Sequence, residues 1–297
     1  MNEPFNAESV EPVSLSLRHS KAAGLRWGRG GRVKVLALHG WLDNAAAFSL
    51  LGPQLARQGV ELLALDLAGH GYSDHKPPGE LYHMLDNLLW IDQVLDVLDG
   101  EYPILLGHSL GGVLSLLYAS VAGDRLRHLV ILDALGPFTS KPEAMPEVLG
   151  KGLRKARQQS SPKRIYASLD EAAEDRTQGF GGLTRESAHT LVARNMEPFE
   201  GGWRWRSDAR LRWPSLSRMT EAQVEACLRA VNVPLLAVFG DRGFFPDESS
   251  RASRMACLTT ATQVTVPGPH HLHMDGDVGA LAVAITHFLK KEGYSCS

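Results

Sequence analysis

A serine stands between two glycines at Gly107-His108-Ser109-Leu110-Gly111, with an apolar run on each side. Residues 102–109 are typical of a short buried strand, and residues 110–122 of an apolar helix. Glycines suit a strained strand-to-helix turn that exposes the serine hydroxyl and aims the next backbone N–H at a developing oxyanion. An ordinary glycine-rich turn has the same composition, but a phosphate-binding loop does not fit because no Gly-Lys-Ser/Thr follows. We predict that Ser109 is a nucleophile and that Leu110 is an oxyanion donor.

A serine hydroxyl is a weak nucleophile and needs a base. Three histidines lie in the segment 267–273, directly after the last apolar strand. We predict that His270 is the base because it comes first after the Gly-Pro turn, with His271 as the second choice and His273 packed beneath the loop. A metal site made of these histidines and Asp275 is disfavoured, because adjacent ligands on one irregular loop have poor geometry and no H-E-x-x-H is present. We expect neither a metal nor a cofactor.

The base in turn needs an acid that fixes its tautomer and stabilises the imidazolium. Asp133 and Asp241 both follow predicted strands, and either could reach a histidine on a neighbouring loop. The alternation of residues along the strands does not separate them. Asp66 also follows a strand, and we expect it to brace a loop.

A second oxyanion donor should come from the loop after the second strand of the main sheet. His39-Gly40-Trp41 stands there. We predict that the backbone N–H of Trp41 is this donor, the alternative being a tight turn with a packed tryptophan.

Apolar strands and helices alternate along the chain up to about residue 136 and again from about residue 230. These elements must position the residues named above. Nearly continuous apolar strands indicate a parallel sheet buried on both faces. Between these halves, residues 137–229 contain charge-rich helical pieces and no apolar strand. An amphipathic helix is predicted over 81–98. The pattern predicts one sheet domain with a helical insertion.

Composition excludes several classes of protein. The 297 residues carry 31 basic and 33 acidic side chains, so the net charge of −2 gives no general nucleic-acid footprint and favours neutral or apolar substrates. The tryptophans and arginines of 203–213 could stack on single-stranded nucleic acid, but a single basic stretch is better explained by packing. No secretory signal or membrane span is found, and three widely spaced cysteines are expected to be free thiols. We predict a cytoplasmic protein of unknown oligomeric state.

Four motifs resemble those of the α/β-hydrolase superfamily in order and spacing: His39-Gly40-Trp41-Leu42-Asp43-Asn44, Asp66-Leu67-Ala68-Gly69-His70-Gly71-Tyr72-Ser73, Gly107-His108-Ser109-Leu110-Gly111-Gly112 and Gly268-Pro269-His270. The likeness covers about residues 13 to 291. Within the superfamily, the chain looks most like the serine hydrolase-like branch, through the segments HGWLDN, GGWRWRSDARLRW and VPGPHHLHM. The resemblance implies an α/β fold with an eight-stranded, mostly parallel sheet flanked by helices. It implies a core of residues 1–136 and 230–297 under a helical cap of residues 137–229.

The resemblance also implies Ser109 as nucleophile, His270 as base, and Trp41 and Leu110 as oxyanion donors. Many members of the superfamily place the acid three residues after the glycine that ends the late strand. Here that glycine is Gly240, and the third residue on is Gly243. Other branches take the acid from the strand before the cap, so we favour Asp133 over Asp241.

These residues predict a serine hydrolase that cleaves carboxylic esters through an acyl-enzyme intermediate, with a small acyl compound as its partner. Thioesterase, lactonase, amidase and C–C hydrolase activities use the same triad and stay open. A non-catalytic binding protein on this scaffold is the alternative from another class. We see no amphipathic basic helix or exposed apolar run that would favour a lipase acting at a lipid surface.

Overall fold

The computed structural model describes residues 9–158, 163–245 and 247–296. Its strands are β1 (Val10–Ser16), β2 (Lys21–Trp27), β3 (Val33–Leu38), β4 (Val60–Leu65), β5 (Ile104–His108), β6 (His128–Leu132), β7 (Met196–Phe199), β8 (Gly202–Trp205), β9 (Leu235–Arg242) and β10 (Ala261–Pro269). Its helices are α1 (Leu51–Ala56), α2 (Asp86–Val97), α3 (Leu110–Ala122), α4 (Met145–Arg157), α5 (Leu169–Thr177), α6 (Arg185–Asn195), α7 (Glu221–Ala230), α8 (Glu248–Met255), α9 (Leu272–Asp275) and α10 (Val278–Lys291).

Eight strands form one sheet in the order β1-β2-β4-β3-β5-β6-β9-β10. Strand β2 pairs antiparallel with both β1 and β4, and every other pair is parallel. Strands β4, β5 and β6 are buried along their whole length, as strands covered by helices on both faces must be. The predicted eight-stranded, mostly parallel α/β sheet is confirmed.

The strands alternate their side chains between two apolar clusters, one on each face of the sheet. In β3, Leu36 and Leu38 join the cluster packed by α2, α3 and α7, whereas Val35 and Ala37 join the cluster packed by α1 and α10. The carboxyl ends of the parallel strands therefore meet at one edge, where ligands bind in open α/β sheets. The loops after β3, β5, β6, β9 and β10 carry the predicted site residues to this edge.

We name residues 137–229 the cap segment. It extends from the loop after β6 to the penultimate residue of α7. It contains a two-stranded hairpin, β7–β8, in addition to the predicted helices. The last helix, α7, packs on the core, since Val224 and Leu228 belong to the same apolar cluster as α3. Helix α2 begins at Asp86 rather than at residue 81, and the residues just before it line a cavity described below.

Two buried ion pairs join the cap segment to the core. The Arg176 guanidinium lies 2.8 Å from the Asp43 carboxylate, and the Arg194 guanidinium lies 2.7 Å from that of Asp66. Removing one partner of such a pair leaves a buried charge uncompensated, which costs roughly 3–5 kcal/mol. Asp66 also accepts the backbone N–H groups of Ala45 and Tyr72, so it braces two loops at once. No helix in the described ranges is both long and apolar enough to cross a membrane.

Candidate active site

Ser109 occupies the turn between β5 and α3 with φ 49° and ψ −115°, which non-glycine residues rarely adopt. Its backbone N–H donates to the carbonyl of Leu132 on the neighbouring strand at 3.1 Å, which holds the strained turn against the sheet. The turn needs its glycines: a Cβ at Gly107 would lie 2.4 Å from the Gly111 backbone, and one at Gly111 would lie 2.1 Å from the Leu38 carbonyl. Strain stored at such a turn is typical of a nucleophile.

His270 and Asp133 form a buried hydrogen-bonded pair at the same edge of the sheet. The Nδ1 atom of His270 lies 2.6 Å from Oδ2 of Asp133, and both side chains are almost fully buried. The same oxygen accepts the backbone N–H of Phe244 at 2.9 Å, which fixes the carboxylate. With Nδ1–H donated to the carboxylate, Nε2 of His270 is the ring nitrogen that can accept a proton.

Asp241, the other candidate acid, makes different contacts. Its carboxylate accepts the backbone N–H of Gly268 at 2.8 Å, and its side chain is 51% exposed. That hydrogen bond with Gly268 lowers the pKa of Asp241, which therefore stays ionised while it secures the end of β10. Between the two acids that the sequence left open, only Asp133 contacts His270.

The backbone N–H groups of Trp41 and Leu110 have no hydrogen-bond acceptor among the described residues. Trp41, Leu110 and Ser109 all line one cavity. The Trp41 indole donates to the Leu211 carbonyl of the cap segment at 3.0 Å, which anchors the tryptophan. Two free N–H groups beside a nucleophile are the arrangement that stabilises an oxyanion.

The position of Asp133 explains why residue 243 is a glycine. A Cβ at residue 243 would lie 2.3 Å from Oδ1 of Asp133, so the carboxylate from β6 fills the space that a side chain at 243 would need. A carboxylate at this point of the fold therefore comes from the residue after β6 rather than from residue 243.

We expect Gly243→Ala to lower kcat on an activated ester by on the order of 10²-fold, because the new methyl group displaces the Asp133 carboxylate and misplaces His270. Gly279→Ala is the matched control, since a Cβ there meets nothing closer than 3.4 Å and lies in α10. Steady-state kinetics, with circular dichroism to check folding, measures both. A folded Gly243→Ala protein within twofold of wild type would contradict this account of the glycine.

Two phenylalanines enclose His270. The Phe244 ring stacks on the imidazole, with centroids 3.8 Å apart and planes 20° apart, and the Phe180 ring meets it edge-on at 6.1 Å. The sequence alone does not predict the contact between Phe180 of the cap segment and His270. The one signal for Phe180 is its position in the glycine-rich turn Gly179-Phe180-Gly181-Gly182. These rings keep the imidazole away from bulk water.

Two buried neutral histidines hold the loop that carries Trp41. His70 accepts the backbone N–H of Leu42 through Nε2, and Nδ1 lies 3.1 Å from the Ala68 carbonyl. His39 accepts the N–H of Leu67 and contacts the Gly40 carbonyl in the same manner. Burial, reinforced by His39, lowers the pKa of His70 to about 3, so its ring keeps the acceptor nitrogen that this bond requires.

Three more histidines lie behind the pair of His270 and Asp133. His108 contacts the His270 carbonyl through Nε2 at 3.1 Å, and His271 lies 3.3 Å from the Asp43 carboxylate. His273 is fully buried beneath the loop, as expected. Burial favours the neutral carboxyl of Asp43, but His271 and Arg176 outweigh it and hold its pKa well below the usual range.

The metal ligands considered in the sequence do not come together. Asp275 accepts hydrogen bonds from Thr184 and Ser187 of the cap segment instead. Asp43, His108 and His271 do bring ligand atoms within 4.8 Å of one another. However, the guanidinium of Arg176 already neutralises Asp43 at 2.8 Å, and it would repel a divalent cation in the same buried site.

We expect the free energy of unfolding to fall as the pH is lowered below 6.5, partly because of His273. Burial, with the charge of His271, lowers the pKa of His273 to about 3, and neither ring nitrogen has a hydrogen-bond partner in the described structure. The unfolded chain therefore binds more protons between about pH 3 and 6.5, and stability falls by up to about 1.4 kcal/mol per pH unit for this group.

Urea unfolding at pH 6.5 and pH 5 tests this contribution. Between these pH values, the free energy of unfolding of His273→Leu should fall by about 2 kcal/mol less than that of wild type. His287→Leu, at an exposed position of α10, is the control and should match wild type. An equal pH dependence in His273→Leu and wild type would rule out this contribution.

A cavity of about 930 Å³ opens between the core and the cap segment. The core supplies Ser109, Asp133 and apolar side chains such as Leu67 and Val113. The cap segment supplies residues of α4 and of the stretch 211–219, including Trp213. The arginines of 203–213 mostly pair with nearby acids, among them Arg204 with Glu197 and Arg210 with Asp208, as expected from a packing role.

A family profile described as alpha/beta hydrolase fold matches residues 34–277. A probable serine hydrolase of Drosophila melanogaster is 31% identical over 279 residues, which are 90% of this chain and 84% of that protein. Proteins named serine hydrolase-like from Dictyostelium discoideum, Danio rerio and Homo sapiens are each 26% identical over 95% to 98% of this chain.

Two solved structures are similar over most of the chain. A hypothetical protein from Pseudomonas aeruginosa PAO1 is 38% identical with a TM-score of 0.85, covering 95% of this chain and 99% of that one. The thioesterase domain from the curacin biosynthetic pathway is 28% identical with a TM-score of 0.81, covering 94% and 99%. With the fold and these matches together, the chain belongs to the α/β-hydrolase fold family, in its serine hydrolase-like branch.

Proposed function

We propose that this protein is a carboxylic ester hydrolase in which Ser109, His270 and Asp133 form the catalytic triad and Trp41 and Leu110 form the oxyanion hole. The observation that carries the proposal is the meeting of a strained serine, a buried histidine–aspartate pair and two free N–H groups at one edge of the sheet. The serine supplies a nucleophile, the histidine–aspartate pair supplies a base, and the N–H groups supply oxyanion donors; acyl transfer needs all three.

In the proposed reaction, the Ser109 hydroxyl attacks the ester carbonyl while Nε2 of His270 takes its proton. The N–H groups of Trp41 and Leu110 stabilise the tetrahedral oxyanion, and Asp133 stabilises the imidazolium. His270 then returns the proton to the leaving alcohol, which leaves an acyl group on Ser109. A water molecule, deprotonated by His270, releases the acid and restores the serine.

The cavity supports a neutral or apolar acyl group, because apolar side chains such as Leu67, Leu110, Val113 and Leu135 line it near Ser109. Thioester cleavage is the second candidate, since the 28% identical curacin-pathway domain is named a thioesterase. Lactones, amides and C–C bonds next to a carbonyl suit the same groups.

The test combines labelling with turnover. A fluorophosphonate should label wild type and leave Ser109→Ala unlabelled, and p-nitrophenyl esters of rising chain length should be hydrolysed with an optimum that sizes the cavity. Labelling with turnover of acyl thioesters alone would favour the second candidate. Neither labelling nor turnover of any substrate would overturn the hydrolase proposal and favour a binding protein.

We also propose a cytoplasmic location and a reaction that needs no cofactor. The location is supported by Cys227, Cys257 and Cys296, all free thiols, as in a reducing compartment. A reaction without a cofactor is supported by the chemistry of a serine triad, because its nucleophile, base and oxyanion donors are all protein groups.

A further inference from the structure

Helix α4 lines the cavity with one face and exposes apolar side chains on another. Glu147, Val148 and Lys151 line the cavity, whereas Leu149 and Leu153, one turn apart, are 42% and 49% exposed. Gly152 alone in this helix is buried, against Leu216. The expectation that the chain has no amphipathic basic helix is therefore wrong for α4.

Other exposed apolar side chains line the cavity itself. Phe138 is 70% exposed, and Leu85, Phe180 and Phe244 are each about two-fifths to one-half exposed; all four line the cavity. Leu149 and Leu153 are neighbours on one face of α4, and exposed apolar side chains grouped on a folded protein mark a place where something docks. We name Leu149, Leu153 and Phe138 the apolar ridge.

Uncompensated positive charge lies beside the apolar ridge. Helix α4 carries four basic residues and one acidic residue, Glu147; the basic ones are Lys151, Arg154, Lys155 and Arg157. None of the four lies within ion-pair distance of a carboxylate in the described structure, whereas Arg204 and Arg206 elsewhere in the cap segment both pair with Glu197. The surface thus offers positive charge that no side chain of the described structure neutralises.

We propose that α4 docks the cap segment on an anionic phospholipid bilayer, with the apolar ridge in the headgroup–acyl boundary and the basic side chains on lipid phosphates. A helix with a cationic face, an apolar stripe and low overall hydropathy suits a position in the plane of a membrane interface. An acidic protein would neutralise the same charges, but it would not by itself provide an apolar phase for Leu149, Leu153 and Phe138.

The position of α4 connects docking with catalysis. The residues of α4 that line the cavity, Glu147, Val148 and Lys151, lie on the face of the helix opposite Leu149 and Leu153, so a docked α4 would lie between the bilayer and the cavity. Docking would then bring the cavity that contains Ser109 close to apolar esters held in the bilayer. This second step rests on the proposed esterase function, whereas docking itself does not.

Co-flotation of the full chain with vesicles tests docking. Binding to phosphatidylcholine vesicles that contain phosphatidylserine should be at least about tenfold stronger than to phosphatidylcholine alone, and it should weaken with salt. Arg154→Glu with Arg157→Glu should lose about tenfold or more, and Leu149→Ser with Leu153→Ser should lose comparably. Arg229→Glu, an exposed arginine of α7, is the charge control and should bind as wild type does.

The α4 variants should hydrolyse a short soluble ester at the wild-type rate, because none of their four residues lines the cavity. Restoring charge with Arg154→Lys and Arg157→Lys should restore binding. Measuring flotation on Ser109→Ala as well separates docking from the esterase proposal, since docking should persist in that inactive variant.

Equal binding to neutral and anionic vesicles, or no binding to either, would overturn the proposal. So would an Arg154→Glu, Arg157→Glu protein that floats as wild type does. If wild type ignores vesicles but binds an acidic acyl-carrier protein, or dimerises through α4 in a way that Leu149→Ser abolishes, the surface has a protein partner instead.

Discussion

Ser109→Ala is expected to lower kcat on p-nitrophenyl esters by about 10⁴-fold or more, with KM little changed, because the acyl group loses its covalent acceptor. Some acceleration over water should survive, since the N–H groups of Trp41 and Leu110 can still stabilise an oxyanion formed by direct attack of water. Initial rates at saturating ester, with enzyme concentration raised for the variant, measure the loss.

Ser217→Ala provides the control, because Ser217 also lines the cavity but lies on the cap segment. Its kcat should stay within about threefold of wild type. Members of a triad act as one unit, so adding Asp133→Asn to Ser109→Ala should cause little further loss. A Ser109→Ala protein that keeps a tenth of wild-type kcat would remove this serine from the mechanism.

Asp133→Asn is expected to lower kcat by about 10³- to 10⁴-fold, whereas Asp241→Asn should leave it within a few fold of wild type. The difference follows from contacts: Asp133 binds Nδ1 of His270 at 2.6 Å, and Asp241 binds only the backbone of Gly268 and the neighbouring Arg242. An asparagine at 133 can donate to His270, which favours the tautomer that presents N–H rather than a lone pair to the serine.

The pH dependence of kcat/KM should accompany the rates, together with urea midpoints for both variants. Asp241→Asn should affect mainly the stability of the end of β10, because its hydrogen bond with Gly268 is weakened. If Asp241→Asn is the inactive variant and Asp133→Asn turns over normally, the triad needs a different acid.

The strongest local patterns predicted both the elements and the first two members of the site. An apolar strand, a glycine-flanked serine and an apolar helix leave few alternatives for Ser109, and a histidine after the last strand lies at the same edge of the sheet because parallel strands share one carboxyl edge. The choice between Asp133 and Asp241 was harder, because both follow strands and only the path of each loop decides which reaches His270.

Features that depend on distant packing were not predictable. Phe180 reaches His270 from the cap segment, ninety positions away, and no periodicity encodes that contact. The pairing of Asp43 with Arg176 likewise joins a core loop to an inserted helix. The charge-rich piece containing α4 was interpreted only as helical, since its few apolar residues reveal a stripe only when the helix axis and its neighbours are known.

The two arginines that reach from the cap segment into the core restrict how the enzyme can admit and release molecules. Moving the α5–α6 region outward would strip the arginine counter-ions from the buried carboxylates of Asp43 and Asp66, which is unfavourable. Asp43 stands two residues after Trp41, so the same movement would disturb the loop of this proposed oxyanion donor. Substrate and product should therefore pass without this movement, and crosslinking α5 or α6 to the core should leave the turnover rate intact.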